Sequence, residues 1–174
     1  MILEHNGRAP QIDPSVFLAP SACVIGDVRI GEQSSLWFNV LVRGDVNFIR
    51  IGKRSNIQDG TVIHVTCGTH PTVVGDDVSV GHSVTLHGCT VRDGCLIGIG
   101  AILLDGVEVG ESSMVAAGSL VTPGTKIPPR SLVMGSPARV KKTLTDAECT
   151  EYRSIAERYI RYQDDYRTNV RRMD

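Results

Sequence analysis

A chain of 174 residues can build one domain with a full core, and its formal charge of −1 gives no electrostatic reason to seek nucleic acid or an anionic membrane surface. Five cysteines without a CxxC pair argue against a disulfide scaffold and for a reducing compartment. Glycine is abundant, at 18 residues, while aromatics make up only 5%, so the core must come from many small and branched side chains, which points to repetition.

The first residues, MILEHNGRAPQ, hold no basic segment followed by an apolar one, so no secretory signal is expected. The longest apolar run, Cys95 to Leu104, is too short to span a bilayer. The expected compartment is the cytoplasm, with neither membrane nor nucleic acid as a partner.

From Val24 a period of six begins: Val24, Ile30, Leu36 and Val42. After three extra residues it resumes with Ile51, Ile57 and Ile63, and after five more with Val74, Val80 and Leu86. One step of five leads to Val91, and steps of six then run through Ile97, Leu103, Val109, Val115, Val121 and Ile127 to Val133. Two residues before these aliphatics stand mostly small side chains, such as Ser34, Ser55, Thr61, Thr72, Ala101, Ser113 and Ser119. Side chains two apart on a strand share a face, so both positions point inward. Glycine often follows the aliphatic, as at Gly31, Gly52, Gly75 and Gly98, and is expected to permit the next turn. The pattern predicts an all-β parallel β-helix: a three-sided prism with about 18 residues per coil and coils about 4.8 Å apart.

The repeat stops in GSPARVKK, giving a β-helix domain over residues 1–140 and a C-terminal segment over 141–174. Thr145 and Glu148 form a capping-box pair. Tyr152, Ile155, Tyr159, Tyr162 and Tyr166 then make one stripe of an amphipathic helix, expected to dock on the prism.

Stacking the coils brings three of the five histidines into register. Arg43, His64 and His87 each follow the aliphatic of the same side and form one column, about one strand spacing apart. His82 falls in a column on the neighbouring side, beside Asp59. Two imidazoles at that spacing suit a metal such as Zn²⁺ but need a third ligand. His82 of a second copy supplies it if three prisms pack side by side, giving one site per interface. His5 and His70 lie outside this register.

The runs RGDV (43–46), SNIQDGTVIHV (55–65), VGHSVTLHGC (80–89) and GSP (135–137) make the whole chain similar to the γ-class carbonic anhydrases, most closely their short bacterial branch. The resemblance implies a homotrimer of left-handed β-helices that hydrates CO₂ reversibly to bicarbonate. It implies Zn²⁺, or alternatively Fe²⁺ or Co²⁺, held between subunits by His64, His87 and the neighbour's His82. It further implies inter-subunit ion pairing by Arg43 and Asp59 with support from Asp45, a hydrogen bond from Gln58 to solvent at the metal, and Tyr159 near the site. The chain departs from the founding archaeal members, which carry acidic residues in loops near the site, including a glutamate proposed as proton shuttle. Here Val46 follows Asp45, and the loop VTCGTHPT contains no acid, so weak turnover is an expectation. Two other readings share the prism: a hexapeptide acyltransferase, which needs one histidine base and no stacked pair, and a non-catalytic accessory protein whose metal fastens the trimer.

Overall fold

Leu18, Leu36, Ile57, Val80, Ile97, Val115 and Val133 lie in one column of successive parallel strand pairs, side A. Side B stacks Val24, Val42, Ile63, Leu86, Leu103 and Val121. Side C stacks Ile12, Ile30, Ile51, Val74, Val91, Val109 and Ile127. The computed structural model, which describes residues 1–171 and 173, is therefore a three-sided parallel β-helix in the register that the period of six predicts. Side A is an eight-stranded sheet. Sides B and C join in a twelve-stranded one, because the strands Cys23–Ile30 and Leu41–Ile51 run through the corner between them.

Nearly every inward aliphatic is fully buried. Burying one such side chain stabilises by roughly 1.5–3 kcal/mol, and each coil repeats about three of them. The small inward positions favour Ser and Thr for a specific reason: their hydroxyls bridge coils. Ser34 Oγ donates to Gly52 O at 2.7 Å, Ser55 Oγ to Gly75 O at 2.8 Å and Thr61 Oγ1 to Gly81 O at 2.9 Å. Each such bond adds about 1 kcal/mol net and satisfies a carbonyl that the prism would otherwise bury unpaired.

The glycines after the aliphatics serve a different purpose from the turn that the sequence suggests. A Cβ on Gly52 would stand 2.6 Å from Gly75 C, and one on Gly98 would stand 2.4 Å from Ala117 N. These positions exclude side chains because the next coil's backbone is there. The left-handed backbone falls two residues later at the corner from side C to side A, at Gln33 (φ 56°), Arg54 (φ 53°) and Asp77 (φ 55°).

The two insertions behave differently. Residues 43–51 stay in the long strand Leu41–Ile51 and are absorbed by a register shift opposite Gly26 and Val28. Residues 65–71 project as a small loop closed by a bridge between Thr66 and His70. The last strand of side A, Ser131–Gly135, pairs with Ala138–Thr143 in an antiparallel hairpin that closes the last coil, and this second strand lies beyond the six-residue period.

The helix α1 spans Asp146–Asn169, with Thr145 as N-cap and both bonds of the capping box to Glu148 formed. It runs back over side A toward the first coils, where Tyr166 packs edge-on to Trp37 at 4.9 Å and Gln163 Nε2 donates to Gln33 O. The docking face is turned slightly from the tyrosine stripe: Ala156 and Gln163 are its buried residues, while Tyr162 is half-exposed. No helix among the described residues is long and apolar enough to cross a membrane.

Candidate metal centre

His64 and His87 are partners in one parallel pair on side B. Each follows an inward aliphatic by one residue, so both imidazoles leave the same face. Their ring centroids are 5.1 Å apart, and His64 Nδ1 lies 3.2 Å from His87 Nε2. Carboxylates take the outer nitrogens: His64 Nε2 is 3.0 Å from Asp45 Oδ1, and His87 Nδ1 is 2.7 Å from Asp105 Oδ1. An ionised carboxylate only accepts, so in each neutral ring the outer nitrogen carries the proton and the inner one keeps its lone pair. Two lone pairs facing at 3.2 Å repel unless a proton or a metal ion lies between them. A tetrahedral ion with bonds of 2.0–2.1 Å sets its ligands about 3.3 Å apart. The donor pair fits a divalent metal.

The two carboxylates behind the pair are held ionised. Burial pushes the Asp45 carboxyl up, but hydrogen bonds from His64 and Arg43 outweigh it and keep the group below the usual carboxylate range. Asp105 follows the same balance: burial raises it, while bonds from Thr66 and His87 bring it down. Thr66 Oγ1 donates to Asp105 Oδ2 at 2.7 Å, which fixes the carboxylate from its other oxygen.

His82 stands on side A, where its Nδ1 lies 2.9 Å from Asp59 Oδ2 and its Nε2 is left as acceptor. Asp59 Oδ1 also accepts the Phe38 N–H at 3.2 Å, so the carboxylate is anchored to the coil before it. Both His82 and Asp59 are about two-fifths exposed, at 43% and 41% of their side chains. All three histidines thus share one device, an aspartate on one nitrogen and a lone pair on the other. Within a single chain His82 does not join the pair: among the described residues no group of three His, Cys, Asp or Glu side chains is placed to hold a metal. Arg43 and Asp59 do not meet within the chain either. Arg43 pairs with Asp45, and Asp59 with His82.

Gln58 and Tyr159 lie on the His82 side. Gln58 is buried, its Nε2 donates to Asn56 Oδ1 at 3.0 Å, and Asn56 Nδ2 donates on to Ser79 Oγ at 2.8 Å. Gln58 Oε1 accepts no hydrogen bond among the described residues, and Gln58 lines a cavity under α1 together with Tyr159. Tyr159 also lines a second hollow, of about 310 Å³, with His82 and Asp59. Burial, with Asp59 adding, pushes the Tyr159 phenol up to about 12.

Asp105 and Thr66 escape a reading of the sequence that follows only the position after each aliphatic. Asp105 is two residues past Leu103, and the signal for it is the same column read one place further, where Gly106 N donates to Gly88 O at 2.8 Å. His70, outside the histidine register, is carried by the projecting loop against Gly88 and Gly106, close to Asp105.

Known proteins resemble the chain in repeat, sequence and fold. The family model described as "Bacterial transferase hexapeptide (six repeats)" matches residues 88–123. Over 153 residues the chain is 52% identical to "Probable carbonic anhydrase" of Methanocaldococcus jannaschii, covering 88% of this chain and 96% of that protein. It is 47% identical over 162 residues to "Gamma carbonic anhydrase 1, mitochondrial" of Arabidopsis thaliana; there the match takes in 86% of this chain and 59% of the plant protein, so the chain spans little more than half the length of that relative. Among solved structures, a hexapeptide transferase family protein from Anaplasma phagocytophilum superposes with a TM-score of 0.91 at 38% identity, over 95% of this chain and 98% of that one. The chain belongs to the γ carbonic anhydrase family of hexapeptide-repeat β-helix proteins.

Proposed function

We propose that this chain catalyses the reversible hydration of CO₂ to bicarbonate, with a divalent metal held between copies by His64 and His87 of one and His82 of the next. The observation that carries this reading is the pair of lone-pair nitrogens 3.2 Å apart, with Asp45 and Asp105 fixing the opposite sides of the rings. Carboxylate partners of this kind orient metal-binding histidines and raise their basicity. Three neutral imidazoles leave the metal's charge uncompensated, and a bound Zn²⁺ in carbonic anhydrase lowers the pKa of water to about 7, making a nucleophile available at neutral pH. Zn²⁺ suits this donor set, and Fe²⁺ and Co²⁺ accept it as well.

The remaining side chains orient and exclude. Gln58 is neutral, so it can hold solvent or bicarbonate by its amide without opposing the metal's charge. Tyr159, with its phenol near 12, stays protonated at neutral pH and serves as a hydrogen-bond donor rather than a proton carrier. Hydration releases one proton for each bicarbonate. His70, carried by the projecting loop close to Asp105, is the side chain we assign to carry it away.

The direction of the donors supports a trimer. Outward on side B, Val62 and Ile102 flank the histidine pair and are 38% and 39% exposed. An apolar face beside a half-built site is what a heterologous, ring-closing contact would cover. Arg43 and Asp59 then lie on the two surfaces that meet and can pair across the interface.

The test is stopped-flow CO₂ hydration with the metal-free, zinc-loaded and anaerobically iron-loaded protein, beside His64→Ala. Turnover that depends on metal and vanishes in the variant supports the reading; full metal occupancy without turnover sinks it. The transferase reading draws on the fold it shares with solved hexapeptide proteins. It needs one base and leaves the stacked pair without a task, and acetyl transfer from coenzyme A without metal would favour it.

A further inference from the structure

Side A changes calibre beneath α1. The residue after each inward aliphatic reads Trp37, Gln58, Gly81, Gly98 and Ala116 in successive coils. The two glycines are required by coil stacking, since a Cβ on Gly81 would stand 2.8 Å from Ile99 N and one on Gly98 2.4 Å from Ala117 N. The helix cannot sink to fill the space they leave, because Trp37, Tyr159 and Tyr166 prop it at that end through edge-on contacts of 4.9 to 5.3 Å. The result is a cavity of about 440 Å³ between α1 and the sheet. That volume falls within the range of small-molecule sites, about 300–1,000 Å³, and far exceeds what CO₂ occupies.

The lining is chemically differentiated. Leu96, Met114 and Ile155 make an apolar body and remain only partly buried, so the protein's own packing leaves part of their surface uncovered. Two polar groups break it. Gln58 is 6% exposed and spends its amide N–H on Asn56, which leaves its carbonyl oxygen to accept a further bond. Arg158, on the exposed side of α1, lines the same cavity and has no acidic partner among the described residues. An unused acceptor at one place, an unneutralised guanidinium at another and apolar surface between them specify a ligand class.

We propose that this cavity binds a small carboxylate with an apolar chain and a distal hydroxyl or amide N–H. The carboxylate meets Arg158, the chain lies along Leu96, Met114 and Ile155, and the donor reaches Gln58 Oε1. The proposal rests on the cavity alone and not on the reaction at the histidines. Because Gln58 is shared, a bound carboxylate also alters whatever that amide orients.

Calorimetric titration of the full chain, as purified and after chelation, tests this with 6-hydroxyhexanoate, hexanoate and 6-amino-1-hexanol. The expected result is saturable binding of one 6-hydroxyhexanoate per chain, several-fold weaker binding of hexanoate and none of the amine, with or without metal. Arg158→Gln lies on an exposed helix position and keeps the fold; it should weaken 6-hydroxyhexanoate about tenfold, as expected for loss of a charge-assisted contact. Ala117→Leu, which fills the cavity from its exposed rim, should weaken it as well. Absence of saturable binding, equal binding of all three compounds, or an unchanged affinity in Arg158→Gln would overturn the assignment.

Discussion

Asp105 holds His87 from behind: its Oδ1 lies 2.7 Å from His87 Nδ1 while Thr66 binds the other oxygen. Replacing it by asparagine keeps the shape but removes the obligate acceptor, so the ring can adopt either tautomer. Loss of such a partner weakens metal binding by about 10–100-fold. Asp105→Asn should therefore keep its circular dichroism and thermal midpoint after chelation while losing affinity in a competition with a zinc indicator. Unchanged affinity would show that the aspartate is a packing group only.

The three histidines should separate by what they do to assembly. His64→Ala and His82→Ala each delete one ligand of every site, so both should abolish metal-dependent turnover as single variants. Mixed in one solution under exchange conditions, however, they can form an interface in which a wild-type His82 meets a wild-type His64 and His87. Partial recovery of activity on mixing, measured against each variant alone, is the expected outcome. Recovery never seen at any mixing ratio, with subunit exchange verified by mass, would show that the site is not shared between copies.

Tyr159→Phe offers a cleaner test of a role near the site. The phenol is pushed up to about 12 by burial and by Asp59, so it does not ionise between pH 6 and 9. Removing a hydrogen bond of this kind should lower kcat/KM by about tenfold and leave the pH profile in that window where it was. A displaced profile would mean that the tyrosine takes part in proton transfer.

The prism was legible because its signal is redundant: a period of six sustained from Val24 to Val133 survives two insertions and one short step. The same register carries His64 opposite His87 and sets His82 beside Asp59. What the register cannot carry is side-chain direction beyond the strand. Asp45 turns back to His64, and Asp105 lies at a corner, where backbone curvature rather than strand alternation decides what meets. The second strand of the closing hairpin, Ala138–Thr143, has no period to announce it, and it pairs with the free edge of the last side A strand. The glycines were legible as a pattern and misleading as to cause, since contact between coils is not visible along the chain.

That cause can be measured. Gly98→Ala drives a methyl into the Ala117 backbone, whereas Gly100 has open space around its missing Cβ and only a left-handed φ of 67°. Gly100→Ala should cost about 1 kcal/mol, the usual penalty for that conformation. Gly98→Ala should cost about 3 kcal/mol or more, because backbone cannot move aside without separating two coils. Denaturant unfolding of the two variants decides it, and equal costs would return the glycine to a turn-forming role.

The helix cap gives the last prediction its sign. Glu148 bonds both the backbone and the hydroxyl of Thr145, and Lys142 Nζ lies 2.5 Å from its carboxylate. The Lys142 bond leads, with the Thr145 bonds adding, and together they bring the Glu148 carboxyl from 4.5 down to about 2. A depressed folded pKa means that the unfolded chain takes up the proton first as pH falls. The cap's contribution is therefore complete above about pH 4.5 and is lost progressively toward pH 2. Glu148→Gln removes the titrating group, so its thermal midpoint should lie below wild type at pH 7 and the gap should close as pH approaches 2. A gap that stays constant over that range would show that the capping carboxylate is not linked to stability through its charge.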